Sequence, residues 1–144
     1  MTYVIISQLL LAAFLGGIIG VEREFKKREA GLQTYSLVAL GACLFTVISF
    51  SLSKLRIIND PSPIILAIAI GMGFIGAGTI SRGEKKVEGI TTAAGLWITA
   101  AIGLAVGAKF YLLSVCAALL VLVILVGFGL IEDKIFRKQD NFKR

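Results

Sequence analysis

The 144 residues are 57% hydrophobic and only 17% charged, with 15 Lys and Arg against 9 Asp and Glu and a mean hydropathy of +0.90. A soluble domain of this length carries about 25% charged residues, so the chain reads as a single all-α, polytopic membrane domain with no soluble domain of any size. The lack of His excludes imidazole catalysis and His-ligated metal sites, and the net charge of +6 reads as membrane topology rather than nucleic-acid binding.

Five uncharged stretches follow in chain order, each near the ~20 residues that span a bilayer as a helix. They are Thr2–Val21, Gly31–Ser53, Pro61–Ser81, Gly89–Ala108 and Phe110–Ile131. They make a transmembrane domain over residues 1–131, followed by a basic tail over 132–144. The first stretch lacks a basic start and a small-residue cleavage site, so it reads as a retained span rather than a signal peptide. Lys109 alone separates spans four and five, which predicts a tight turn at Gly107-Ala108-Lys109.

Orientation follows from the bases. Arg23, Lys26, Lys27, Arg28, Arg82, Lys85, Lys86 and five tail residues make 12 of the 15 Lys and Arg, all on one side; Lys54, Arg56 and Lys109 face the other. Basic loops stay cytoplasmic, so the N-terminus is expected outside and the C-terminus inside.

Small residues mark the packing faces. Ala12, Gly16, Gly20 and Glu24 recur every fourth residue in span one, and Thr99, Gly103 and Gly107 do so in span four. Span three holds Gly71, Gly73, Gly76 and Gly78. Small residues let helices approach closely in lipid, where apolar side chains gain nothing from one another. Spans one to four are therefore expected to pack together. Span five, with its Leu119–Val126 run of bulky residues, is expected outermost. The span-three glycines also leave open a second reading, an unwound helix near Gly76–Gly78.

No Asp, Glu, Lys or Arg lies within a span, which argues against a proton relay of the usual kind. The polar residues gather at the cytoplasmic ends: Glu22, Arg23, Glu24, Gln33, Thr34, Arg82, Thr91 and Thr92. They are expected to line a shallow polar cavity, with Glu22 and Glu24 the candidate metal ligands. The plainer reading of Glu22–Lys26 and Glu24–Arg28 is a pair of exposed i,i+4 contacts, each worth a few tenths of a kcal/mol. Thr91 and Thr92 read most simply as helix N-caps. Cys43 and Cys116 read as inert thiols in apolar stretches.

Four segments in order carry a resemblance: Gly16–Glu24, Gly31–Cys43, Gly71–Gly78 and Gly89–Trp97. Together they resemble the MgtC/SapB family of membrane proteins. The resemblance implies a bacterial inner-membrane protein linked to magnesium homeostasis, acid and stress adaptation and, in pathogens, virulence. It also implies partners such as a membrane ATPase. The chain departs from the family's best-known pattern where Gln33 and Tyr35 stand in place of an Arg and an Asn, and it is expected to be a short form without that member's soluble C-terminal domain.

The expected function is a non-enzymatic membrane regulator acting through the cytoplasmic polar site, with no cofactor assigned. The alternatives are a small channel or transporter for Mg²⁺ or another cation, working as a homodimer or other homo-oligomer, and a structural packing module. No nucleic acid is expected as a partner; the lipid bilayer is.

Overall fold

The computed structural model describes residues 2–83 and 86–135. The chain folds into helices α1 (Thr2–Phe25), α2 (Leu32–Lys54), α3 (Ser62–Gly78), α4 (Ile90–Gly107) and α5 (Tyr111–Val123). A π-helical turn at Ile124–Phe128 then leads into α6 (Gly129–Ile135). The tail from residue 136 onward, and Lys85 of the orientation count, lie outside the described residues.

Three helices end in the same way. At the close of α1, Arg28 N–H bonds the Arg23 carbonyl (3.1 Å) and Lys27 N–H bonds that of Glu24 (3.0 Å), with Lys27 left-handed at φ 51°. Arg56 (φ 57°) ends α2 and Lys109 (φ 69°) ends α4 with the same pair of bonds. This two-bond closure satisfies carbonyls that the helix would otherwise leave orphaned. Glycine usually fills the left-handed position. A side chain there costs about 1–2 kcal/mol, and the cation recovers part of that against the helix dipole. Arg56→Gly is therefore expected to raise stability by about 0.5 kcal/mol, because the relieved strain slightly exceeds the added freedom of the unfolded chain. Thermal unfolding in detergent measures it.

Helix α2 is the centre of the fold, packed on both α1 and α4, which also pack on each other. Glycine makes both contacts close. A Cβ on Gly16 would lie 2.5 Å from the Tyr35 carbonyl oxygen, and one on Gly20 would lie 2.7 Å from Leu32 Cα. From α4, a Cβ on Gly103 would overlap the Ala39 carbonyl, and one on Gly107 would lie 2.8 Å from the Cys43 carbonyl oxygen. Ala39 is thus gripped between α1 and α4 and fully buried, in a core with Ala12, Ile19, Tyr35, Cys43, Leu96 and Val106. Two buried threonine hydroxyls bond within their own helices: Thr46 donates to the Ala42 carbonyl and Thr99 to that of Gly95.

Two expectations for span three are corrected. First, it does not join the tight bundle. Helix α3 packs on α4 and stands off from α2, and only its Met72 and Gly76 are buried. Gly76 meets Ala93 of α4, whereas a Cβ on Gly71, Gly73 or Gly78 would meet nothing within 4 Å. These three glycines pack nothing in this chain, because they lie on exposed faces of the helix. An apolar groove of about 1110 Å³ opens between α2 and α3, lined by Leu37, Gly41, Phe45, Ile68, Gly71 and Met72 among others.

Second, the helix is not unwound at Gly76–Gly78; it is continuous and ends there. Thr79 closes it, with its N–H and hydroxyl both on the Gly76 carbonyl. Ser81–Arg82 then leave the helix and pair antiparallel with Val87–Glu88. Gly89 enables the return, since its φ is +87° and a Cβ there would overlap the Thr79 carbonyl. At 17 residues α3 is at the short end of the ~17–25 that span a bilayer, while α1, α2, α4 and the Tyr111–Ile131 stretch are longer and apolar enough to cross. Leu112, Leu119, Leu120 and Val123 make α5 largely exposed.

Candidate functional site

The loop between α1 and α2 folds the charged residues back onto the bundle. Arg23, at the α1 end of the small-residue face, is 2% exposed. It holds the Glu22 carboxylate with two bonds, Nε to Oε2 at 2.5 Å and Nη2 to Oε1 at 3.0 Å. Lys26, one turn on, reaches the same carboxylate at 2.9 Å. Its Nζ also donates to the Leu125 carbonyl in the π turn at 2.9 Å. Gly129 N–H, the ordinary α-helical donor to that carbonyl, bonds the Val126 carbonyl instead. Glu22, Arg23 and Lys26 therefore tie α1 to the end of the last membrane helix. Two forked bonds and a second cation on one carboxylate are what a partly buried ion pair needs to offset its desolvation.

A second group lies across α1, α2 and α4. The Thr92 hydroxyl, on the first turn of α4, donates to Glu29 at 2.6 Å. The Tyr35 hydroxyl donates to the Thr92 carbonyl at 3.3 Å. Tyr35 is fully buried and fits only because residue 95 is glycine; a Cβ there would lie 2.5 Å from the Tyr35 oxygen. The Thr92 bond, aided by Glu29's own backbone N–H and by Arg28 and Arg23, holds the Glu29 carboxyl below its ordinary range against a small opposing effect of burial. The contact is thus present at neutral pH.

The eight residues expected to share one cavity divide. Glu22, Arg23 and Thr92 enter these bonds. Glu24 points elsewhere: it is exposed, and its Oε2 accepts the Leu32 N–H at 3.2 Å, capping the start of α2. Residues i and i+2 do not face each other on a helix, so Glu22 and Glu24 point to different neighbours here. Among the described residues no three acid, Cys or His side chains come together. Gln33, Arg82 and Thr91 are exposed, and Thr34 lines the mouth of the α2–α3 groove instead. Thr92 is buried and Glu29-bonded rather than an N-cap, a role that falls to Gly89 with no side-chain bond.

Sequence reasoning missed Glu29, Tyr35 and the long reach of Lys26. It also missed Gln8 at the other end, a lone amide in an apolar run and so visible in the sequence. Gln8 is 2% exposed and its Nε2 donates to the Val106 and Gly107 carbonyls at 2.8 and 2.9 Å, capping α4 from α1. Interhelical bonds of this kind in membranes average about 0.6 kcal/mol and reach about 1.7. Gln8→Met removes two at once and is expected to cost about 1 kcal/mol in detergent unfolding, with α1–α4 contact loosened.

The profile of the MgtC family matches residues 9–134, a stretch that includes both hydrogen-bonded groups and all four close helix contacts of α2. The chain belongs to the MgtC family. It is 38% identical over 148 positions to Putative magnesium transporter YhiD of Escherichia coli K12, covering 99% of this chain and 69% of that one. It is 40% identical over 117 positions to Protein MgtC of Salmonella typhimurium LT2, covering 81% of this chain and 49% of that one. Protein SapB of Bacillus subtilis is 38% identical over 125 positions, 83% of this chain and 54% of its own. The chain thus spans about half the length of the MgtC and SapB relatives. No solved structure matches it. Family membership and four long apolar helices make it a multi-pass membrane protein.

Proposed function

We propose that this MgtC-family chain is a non-enzymatic regulator in the bacterial inner membrane, linked to magnesium homeostasis and stress or virulence adaptation. Its N-terminus lies outside and its C-terminus in the cytoplasm, a reading supported by the 12 of 15 bases on one side. One observation carries the choice of regulator. The Glu22 carboxylate is fully engaged by Arg23 and Lys26, and Lys26 in turn holds the last membrane helix. A carboxylate so occupied acts as a structural tie whose state is passed to the C-terminal helix and to a membrane partner such as an ATPase. It does not serve as a ready cation ligand, since Mg²⁺ favours carboxylates free to share it with retained waters.

A second reading, cation transport as a homodimer, draws on the word transporter in the name of the Escherichia coli relative. Purified protein in liposomes loaded with a Mg²⁺-sensitive dye separates the two. The regulator reading expects flux equal to empty liposomes and a membrane enzyme that co-purifies from cells starved of magnesium. Mg²⁺ uptake that Glu22→Gln abolishes would overturn it.

A further inference from the structure

The end of the bundle away from Glu22 holds a second polar site. A cavity of about 180 Å³ lies where the start of α1, the end of α2 and the α4–α5 turn meet. Val4, Val47 and Phe50 form its apolar wall, and Gln8, Lys54 and Lys109 bring the polar groups. Lys54 is the last residue of α2 and Lys109 the left-handed residue of the α4–α5 turn, so two cations from separate elements open on one space. None of the lining residues is Asp or Glu.

Gln8 gives the site its direction. Both of its known bonds leave from Nε2 to backbone carbonyls, which fixes the amide so that Oε1 is the remaining atom. Among the described residues no donor is bonded to Oε1, and none of their buried side-chain polar atoms lacks a partner. Gln8 lines this cavity, and Oε1 is the amide atom that its two carbonyl bonds leave over. One amide acceptor and two lysines lining one cavity call for a ligand with a matching pair of features. It needs an anionic head for the lysines and a hydroxyl to donate to the amide.

We infer that this cavity binds a phosphate ester bearing a free hydroxyl, the chemistry of a phosphatidylglycerol headgroup or of free glycerol phosphate, through Lys54, Lys109 and Gln8 Oε1. The phosphate sits between the two ammonium groups, each of which gains from a nearby anion at the membrane surface. The hydroxyl reaches inward to Gln8. The volume takes a headgroup and not a whole lipid, so any acyl chains lie along Val4 and Phe50 toward the bilayer.

The test is titration calorimetry on delipidated protein in detergent. Dioctanoyl phosphatidylglycerol is expected to bind and dioctanoyl phosphatidylcholine not to. The double variant Lys54→Gln/Lys109→Gln, both positions exposed, is expected to stay folded, unfolding slightly below the parent because two cations at helix C-termini are lost, and to bind about tenfold more weakly or worse. Dioctanoyl phosphatidylmethanol, anionic but without the hydroxyl, is expected to bind several-fold more weakly than phosphatidylglycerol. Glycerol phosphate binding as tightly as the lipid, with the same loss in the double variant, supports the site and makes its source soluble. Unchanged binding in a folded double variant, or phosphatidylcholine binding equally well, overturns the proposal. Equal binding of phosphatidylmethanol overturns the part given to Gln8.

Discussion

Gly103→Ala, a single added methyl group, is expected to destabilise the protein by about 3 kcal/mol, the upper range for overpacking a well-filled contact. The reason is what the methyl meets. It would overlap the Ala39 carbonyl and lie 2.8 and 2.9 Å from Ala39 C and Cα. These are backbone atoms of the central helix and cannot rotate away. Ala39 is also held closely by Gly16 of α1, where a Cβ would lie only 2.8 Å from the Ala39 methyl, which limits how far α2 can shift. The paired control is Gly73→Ala. Nothing lies within 4 Å of that position, and removing glycine from a helix interior is neutral to stabilising by up to about 1 kcal/mol. Both variants can be followed by thermal unfolding in detergent through Trp97, whose indole donates to the Ala69 carbonyl and so reports on the α3–α4 contact. A Gly103→Ala protein that melts with the parent would mean that α2 and α4 lie farther apart than described.

Arg23→Met is expected to cost about 3 kcal/mol. Breaking a buried pair by removing one partner typically costs 3–5 kcal/mol, because the other charge stays behind uncompensated. Here the low end applies, since Lys26 still reaches Glu22 and the carboxylate keeps some access to water, with 11% of its side chain exposed. The double variant Glu22→Gln/Arg23→Met should recover part of that loss, because it leaves no orphaned charge. Lys26 alone would then hold the π turn through Leu125. The full double-mutant cycle measures the coupling. A single variant no worse than the double would show that Arg23 matters for packing alone.

Much of this was legible in the sequence because lipid imposes hard rules. Long uncharged runs must be helices, since every backbone polar group has to be satisfied within the chain. That fixed the helical class, the turn at Lys109 and the outer place of α5. Spacing of four also fixed the packing faces of Gly16, Gly20, Gly103 and Gly107, because residues four apart share one side of a helix. What spacing does not carry is the partner across the gap. Gly71, Gly73 and Gly78 look no different in sequence from Gly103, yet they meet nothing. Only the placement of α3 against α4, away from α2, separates them.

The site divides along the same line. Glu22 and Arg23 were legible as charges at the end of a small-residue stripe. Their partners were not, because Lys26 acts on Leu125 and Glu29 on Thr92 across 99 and 63 positions of sequence. Local reasoning sees i,i+4 pairs, and it therefore gave Lys26 only to Glu22 and made Thr92 a cap. The tertiary fold decided which carboxylate was bound and which merely capped a helix. It also gave the opposite end a polar pocket. Gln8 was a lone amide in the sequence; only when the end of α2 and the α4–α5 turn met beside it did it share a pocket with Lys54 and Lys109. The sequence by itself determined the helices, since the backbone must satisfy its own polar groups in lipid. The tertiary structure determined which polar side chains meet, since that depends on contacts between helices that no local period encodes.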